Sequence, residues 1–307
     1  MKDFCKKYPA FAGALLTLLG GVGWGVSGTC GQYLFTQKGI TSLWLVPVRL
    51  VVAGLVLLIP AFCKSAPAAL SPWKDARDRT ELLIYGFAGI TLCQLTYFGT
   101  IQLSSAGVAT ILQDLSPILI LLWSCRAAHR RPALCEIGSI VLALAGVGLI
   151  VTHGSLAHFA VAPAALATGL VCAVSVAVYN IVPARLQTRH ATPLLQGWSF
   201  LMGGTLLTLL FRPWQYTVHV DLGVVLAFCA VVLLGNVIAF NAYMTGVRLI
   251  GPEKGILYGF SEPVTAAALS AVWMGAPFTP WDAAGFAAIF CMLALLSLPK
   301  RRAAVNS

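Results

Sequence analysis

The sequence is short of charge. Only 10% of its 307 residues are Asp, Glu, Lys or Arg, while 59% are hydrophobic, and the mean hydropathy is +0.86. A soluble domain carries roughly 25% charged residues, so this chain cannot cover an ordinary water-facing surface. A bilayer accepts such a composition, because apolar side chains that face lipid need no polar cover. Acids are scarcer than bases, ten against twenty, which leaves a net charge of +10. That excess does not mark nucleic-acid binding. The Lys and Arg sit in short gaps between apolar runs and do not gather on one face of a domain.

Metal-binding and catalytic patterns are also missing. The five His, at 129, 153, 158, 190 and 219, fall in loops or at the ends of apolar runs. No H-E-x-x-H, C-x-x-C or phosphate-binding loop occurs, which counts against a metalloenzyme or an ATP-driven pump. The nine Cys, at 5, 30, 63, 93, 125, 135, 172, 229 and 291, are odd in number and irregularly spaced. They support neither a disulfide framework nor a zinc site and read as small apolar packing residues. The stretch Gly23-Trp24-Gly25-Val26-Ser27-Gly28 matches G-x-G-x-x-G. It lies inside an apolar run with no strand before it, so the dinucleotide-binding reading fails. Gly21 and Gly25 read instead as a close-packing helix face. No cofactor and no metal are expected, and the chain is not expected to be an enzyme.

Long apolar runs fill the rest. Ten segments reach the roughly 20 residues that a spanning helix needs: 10–35, 43–63, 82–102, 105–124, 134–152, 163–183, 194–211, 222–246, 252–274 and 282–299. The expected fold is therefore an all-α integral membrane protein with ten transmembrane helices. Lys2, Lys6 and Lys7 precede the first run, which exceeds the roughly 7–15 apolar residues of a signal-peptide core and is followed by no cleavage-like site, so it is expected to remain as the first span. The longest gap, Lys64 to Glu81, is polar and turn-rich.

Positive charge orients the chain. With the N-terminus inside, 17 of the 20 Lys and Arg fall in inside segments and only Lys38 and Arg212 fall in outside loops, with Arg49 within the second run. This asymmetry predicts a multi-pass protein of the cell (inner) membrane with both termini cytoplasmic.

A shift of 146 residues superimposes Gly89 on Gly235, Tyr97 on Tyr243, Leu103 on Leu249, Pro117 on Pro263, Ser124 on Ser270 and Glu136 on Asp282. Runs three to five then overlie runs eight to ten. Five helices per unit is an odd number, so the second unit enters from the opposite side. The expectation is an inverted-topology repeat with a solute site near the midplane.

Ionisable residues at membrane depth cost about 2.5–3.5 kcal/mol each on the insertion scale and so point to function. Three occur: Arg49, Asp114 and Glu262. Asp114 and Glu262 each lie just before a proline, Pro117 or Pro263, which loosens the carbonyl of Gln113 or Gly259. Glu262, then Asp114, is the candidate for binding solute or a coupling proton. A neutral acid hydrogen-bonded to a neighbouring helix is the structural alternative. Arg49 is expected near the outer face, snorkelling or paired with an acid. Trp24, Ser27, Gln94, Tyr97, Gln113, Tyr179, Asn180, Asn236, Asn241, Tyr243 and Tyr258 are further candidates to line a cavity for an amphipathic solute, with interhelical hydrogen bonding as the alternative for each. Glu136 and Asp282 open the fifth and tenth runs, where an acid suits the helix dipole, and read as structural. Pro117 and Pro263 are candidate bending points.

Several short motifs together carry a family resemblance. Trp24-Gly25 stands in the first run, and Arg49 is followed by Ala53 in the second. Ala109 to Pro117 reads Ala-Thr-Ile-Leu-Gln-Asp-Leu-Ser-Pro, and Leu249-Ile250-Gly251-Pro252 precedes Ser261-Glu262-Pro263. Along essentially its whole length the chain resembles an EamA-type member of the drug/metabolite transporter superfamily, with one EamA-like unit over 10–152 and a second over 163–299. The Cys125-Arg126 loop departs from the Gly-Glu-Arg that family members often carry, and its counterpart Gly275-Ala276-Pro277-Phe278 lacks that Glu-Arg too. The resemblance implies the inverted-repeat fold, alternating access, and export of amino acids or other small metabolites. The expected function is secondary transport of a small-molecule substrate across the lipid bilayer, with a proton as candidate coupling ion. A passive channel or facilitator is the alternative, and a membrane-embedded enzyme the third reading.

Overall fold

The computed structural model describes residues 9–152, 161–250, 258–259, 261–275 and 277–297, and no strand occurs among them. Ten longer helical stretches follow in order, with short helical turns of three or four residues in some of the connections. They are α1 (Pro9–Thr36), α2 (Ser42–Lys64), α3 (Ala76–Ile84, Tyr85–Thr91 and Leu92–Leu103), α4 (Ala106–Gln113 and Ser116–Ala127) and α5 (Leu134–Thr152). After them come α6 (Pro163–Ile181), α7 (Thr192–Phe211), α8 (Leu222–Cys229, Ala230–Ala239 and Phe240–Ile250), α9 (Ser261–Met274) and α10 (Pro280–Ser297). Among the described residues seven of these, α1 to α4 and α6 to α8, are long and apolar enough to cross a membrane. Cys5, His153, His158 and Pro252 lie outside the described residues, as do Lys2, Lys6, Lys7, Lys254, Lys300, Arg301 and Arg302.

Local chemistry sets the helix ends. Gly39, at φ +65°, takes the left-handed conformation that lets the chain reverse between α1 and α2. The Asp75 carboxylate accepts from the N–H groups of Arg77 and Asp78 and so starts α3 at Ala76, six residues before the expected run. Part of the polar gap is thus helix. It is held by a buried ionic cluster in which Asp78 accepts from Arg185 Nη2 at 2.5 Å and Arg189 Nη1 at 2.8 Å, with His190 Nε2 at 3.0 Å. A hydropathy window cannot detect a helical turn built on ion pairs.

At α10 the Thr279 N–H and hydroxyl both reach Asp282 Oδ2 at 2.8 Å. At α5 the Ala133 N–H reaches Glu136 Oε2 at 2.7 Å, and Arg130 grips the same carboxylate with two nitrogens at 2.8 and 2.9 Å. Both acids therefore satisfy donors that a helix start leaves open.

Helices pack in a regular scheme: α2 against α7, α5 against α10, α1 against α8 and α9, and α6 against α3 and α4. Small residues permit the close approaches. A Cβ on Gly25 would stand 2.7 Å from the Glu262 carbonyl oxygen, and one on Gly54 would stand 2.7 Å from the Leu201 amide nitrogen. The larger buried cluster includes Leu34, Leu45, Leu50, Phe98 and Phe200. A smaller one joins α4, α5 and α10 through Ile111, Leu112, Ala143, Ile150, Ile289 and Met292.

One end of the α1–α4–α9 group is tied shut. Gln32 Oε1 accepts from the Ala106 N–H at 2.9 Å and from Ser270 Oγ at 2.8 Å. The Tyr33 and Trp273 rings stack with centroids 5.3 Å apart.

Candidate functional site: a central cavity with a buried arginine

Both α3 and α8 contain a stretch of π-helix, Tyr85–Thr91 and Ala230–Ala239. A π segment widens the turn and loosens the carbonyl ladder, and such segments gather at functional sites. In α8 two of these carbonyls find partners from α1. Trp24 Nε1 donates to Gly235 O at 3.0 Å and Ser27 Oγ donates to Val231 O at 3.4 Å. Glycines on α1 let these helices meet closely enough for those bonds.

Two adjoining cavities open beside this contact. The deeper chamber has a volume of about 100 Å³ and the outer vestibule about 380 Å³. Trp24, Gln113, Tyr179, Phe240 and Glu262 belong to both walls. The chamber adds Ser27, Gln94, Tyr97 and Asn236 from the expected set, and the vestibule adds Asp114, Asn180 and Tyr243. Away from the chamber the vestibule runs past Ile120 and Ser124 to Glu136, the end of α4 that meets the basic loop of Arg126, Arg130 and Arg131.

Eleven of the thirteen expected lining residues therefore come together. Asn241 and Tyr258 lie outside both walls. Asn241 turns its amide back onto the Val237 carbonyl at 2.7 Å, the bond that a helix residue makes one turn back, and Tyr258 is exposed. Asn180 makes a similar backbone contact to Val176 O at 2.8 Å while it edges the vestibule.

The break before Pro117 is visible. The helix stops at Gln113 and resumes at Ser116, with Leu115 N–H reaching only the Leu112 carbonyl at 3.2 Å. The proline cannot donate into the ladder, and the chain tightens there by one residue. This places Asp114 at the break, on the vestibule wall, with Oδ2 buried and without a hydrogen-bond partner among the described residues. Pro263 is buried in the first turn of α9, directly after Glu262.

Arg49 corrects the expectation made for it. It neither snorkels nor pairs with an acid. It is 2% exposed and lines the deeper chamber. Its Nη2 donates to Gln94 Oε1 at 2.8 Å and to Asn236 Oδ1 at 2.6 Å, and its guanidinium lies over the Phe98 ring, 4.1 Å from the centroid. Two turns into α2, the long side chain reaches inward between α3 and α8. Gln196, Phe98, Phe200 and Phe240 are further wall residues absent from the expected set. Gln196 follows Pro193 at the start of α7 and resembles any polar helix-end residue, and a lone Phe in an apolar run carries no signal at all.

Other chamber residues are held rather than free. Tyr97 OH lies 3.1 Å from Thr110 Oγ1, joining α3 to α4, and the Trp24 and Tyr243 rings meet at 4.9 Å. Cys93 and Cys172 sulfurs stand 3.8 Å apart as free thiols. No cluster of His, Cys, Asp or Glu able to hold a metal occurs among the described residues.

The model of the EamA-like transporter family matches residues 11–152 and again 163–298. The chain is 35% identical over 292 residues to an uncharacterized inner membrane transporter, YicL, of Salmonella typhimurium, covering 95% of this chain and 97% of that protein. A protein of known crystal structure superimposes with a TM-score of 0.63 at 20% identity, over 95% of this chain and 99% of the other, a likeness of fold alone. Two family matches that together span nearly the whole chain, and a full-length relative, lead to one conclusion: the chain belongs to the EamA-like transporter family.

Proposed function

We propose that the chain is a secondary transporter of small metabolites, amino acids among them, that works by alternating access in the inner membrane and exports its solute. Ten transmembrane helices would form two inverted five-helix units over 10–152 and 163–299. The packing scheme supports this reading, because α1 on α8 and α9 mirrors α6 on α3 and α4. The two π segments also fall at corresponding places under the 146-residue shift, and Glu136 and Asp282 cap corresponding helices. Inverted repeats of this kind place the solute site between the halves.

The observation that carries the proposal is the asymmetry of the cavity. A vestibule holding Asp114 and Glu262 reaches toward the basic loops, while the opposite end is tied by Gln32, Ala106 and Ser270. With the basic loops cytoplasmic, this is an inward-facing carrier closed to the outside. Both termini are then cytoplasmic. Glu262, shared by chamber and vestibule, is the acid that binds solute or a coupling proton, and Asp114 stands second. Trp24, Tyr179 and Tyr243 offer faces to the apolar part of an amphipathic solute. Pro117 and Pro263 are the bending points of the two halves.

Counterflow in proteoliposomes tests the proposal. Vesicles loaded with unlabelled solute should transiently accumulate labelled solute above the outside concentration. Equilibration without overshoot would indicate a passive channel and overturn the carrier reading. Glu262→Gln should remove the pH dependence of flux, and undiminished, still pH-dependent flux would take Glu262 out of the coupling role.

A further inference from the structure

The deeper chamber holds more buried donors than its protein surroundings can satisfy. A guanidinium carries five N–H groups. Both on Arg49 Nη2 are used, by Gln94 and Asn236, whereas Nε and Nη1 are buried without an acceptor among the described residues. Three of the five N–H groups are therefore open. Asn236 Nδ2, on the same wall, is buried and unpartnered as well. Among the described residues no other Lys or Arg lines either cavity, and Glu262, an acid on the chamber wall, makes no ion pair with Arg49.

Holding α2 to α3 and α8 accounts for Nη2 and for the guanidinium face over Phe98, and leaves Nε and Nη1 unused. A structural role would be served as well by a neutral amide, without the cost of burying a charge. The surplus is a cation with three donors beside a carboxamide donor, at the closed end of a cavity whose middle is walled by Trp24, Tyr179 and Phe240. A planar anion with several acceptor lone pairs meets that set, and a guanidinium suits a carboxylate better than any neutral group.

We propose that Arg49 is the anchor for a carboxylate on the transported solute. The solute class is then a small molecule with one carboxylate, whose apolar body lies between Trp24, Tyr179 and Phe240. This rests on the transporter reading and deepens it by naming the group that the site recognises. Free organic acids and amino acids share that group, and the test separates them.

The test uses the purified full-length chain in detergent and follows thermal stabilisation by ligand, since a solute that binds the native state raises the melting temperature. The probes are the twenty common L-amino acids, their α-carboxamides, and the corresponding deaminated acids. At least one acid should stabilise the protein, and its carboxamide should bind about tenfold or more weakly, the size expected for one charge-assisted hydrogen bond. Deaminated acids that bind as well as the amino acids would assign plain organic acids. Amino acids that bind alone would assign zwitterions. Arg49→Gln should weaken the acids about tenfold or more and narrow or abolish their preference over the carboxamides, and Arg49→Lys should restore part of that preference. Carboxamides that bind as tightly as acids, or no binding by any acid, would overturn the inference. The comparison of ligands on the unaltered protein decides the matter even if Arg49→Gln does not fold. Acids that bind without counterflow would leave the Arg49 assignment standing and remove the carrier reading. Counterflow of carboxamides with undiminished affinity would do the reverse.

Discussion

Ser270 Oγ donates to Gln32 Oε1 at 2.8 Å, joining α1 to α9 across 238 residues of chain. The same oxygen takes the Ala106 N–H, the first residue of α4, so one buried amide closes three helices on each other. Gln32→Ala leaves that N–H and the Ser270 hydroxyl without their acceptor, at a cost of about 1–3 kcal/mol. The variant is expected to melt several degrees lower in detergent. Unchanged melting would remove Gln32 from the closure.

Gly25 meets the backbone of α9 at Glu262 itself. Gly25→Ala sets a Cβ 2.7 Å from the Glu262 carbonyl oxygen, too close for either helix to stay in place. Overpacking of this kind costs about 1–3 kcal/mol. The expected outcome is a lower melting temperature together with a rise in the solute KM, because the displaced helix carries the vestibule acid. A change in stability with an unaltered KM would separate the packing face from the site.

The Lys38–Asp221 pair, 2.6 Å apart, gives a pH dependence with a definite sign. The hydrogen bond from Lys38, followed by the Val224 backbone N–H, holds the Asp221 carboxyl below the usual carboxylate value. A group whose folded pKa is depressed contributes stability above its unfolded pKa and loses it as pH falls through the folded one. The difference in melting temperature between wild type and Asp221→Asn should therefore stay constant from pH 8 down to about 4, the ordinary Asp value, and shrink below it. A difference that instead vanished between pH 8 and 6 would contradict the assignment.

Much of this architecture can be read from the chain before folding. Long apolar runs marked the helices, and Pro117 marked the break in α4 because a proline has no N–H to give. Gly21 and Gly25 announced a close helix face by their spacing and small size, and the structure sets both against α9. Asp114 and Glu262 stood out because acids are costly at membrane depth. The rest depended on direction, which composition does not carry. The position of Arg49 along α2 does not tell a side chain that bends to the lipid headgroups from one that reaches between α3 and α8. The first turns of α3 escaped because their stability comes from Asp75, Asp78 and Arg185 rather than from apolar length. Phe98, Phe200 and Phe240 became walls only through the way the helices cross.

Alternating access requires the end held by Gln32 to open during each transport cycle. Tyr33 and Trp273 stack across that end with ring planes 13° apart, which makes them the positions at which to lock it. Tyr33→Cys combined with Trp273→Cys, bridged by a short reducible bifunctional thiol cross-linker verified by mass spectrometry, should lower solute flux in proteoliposomes at least tenfold, with recovery on reduction. Unaltered flux through fully cross-linked protein would contradict a carrier whose two sides open in turn.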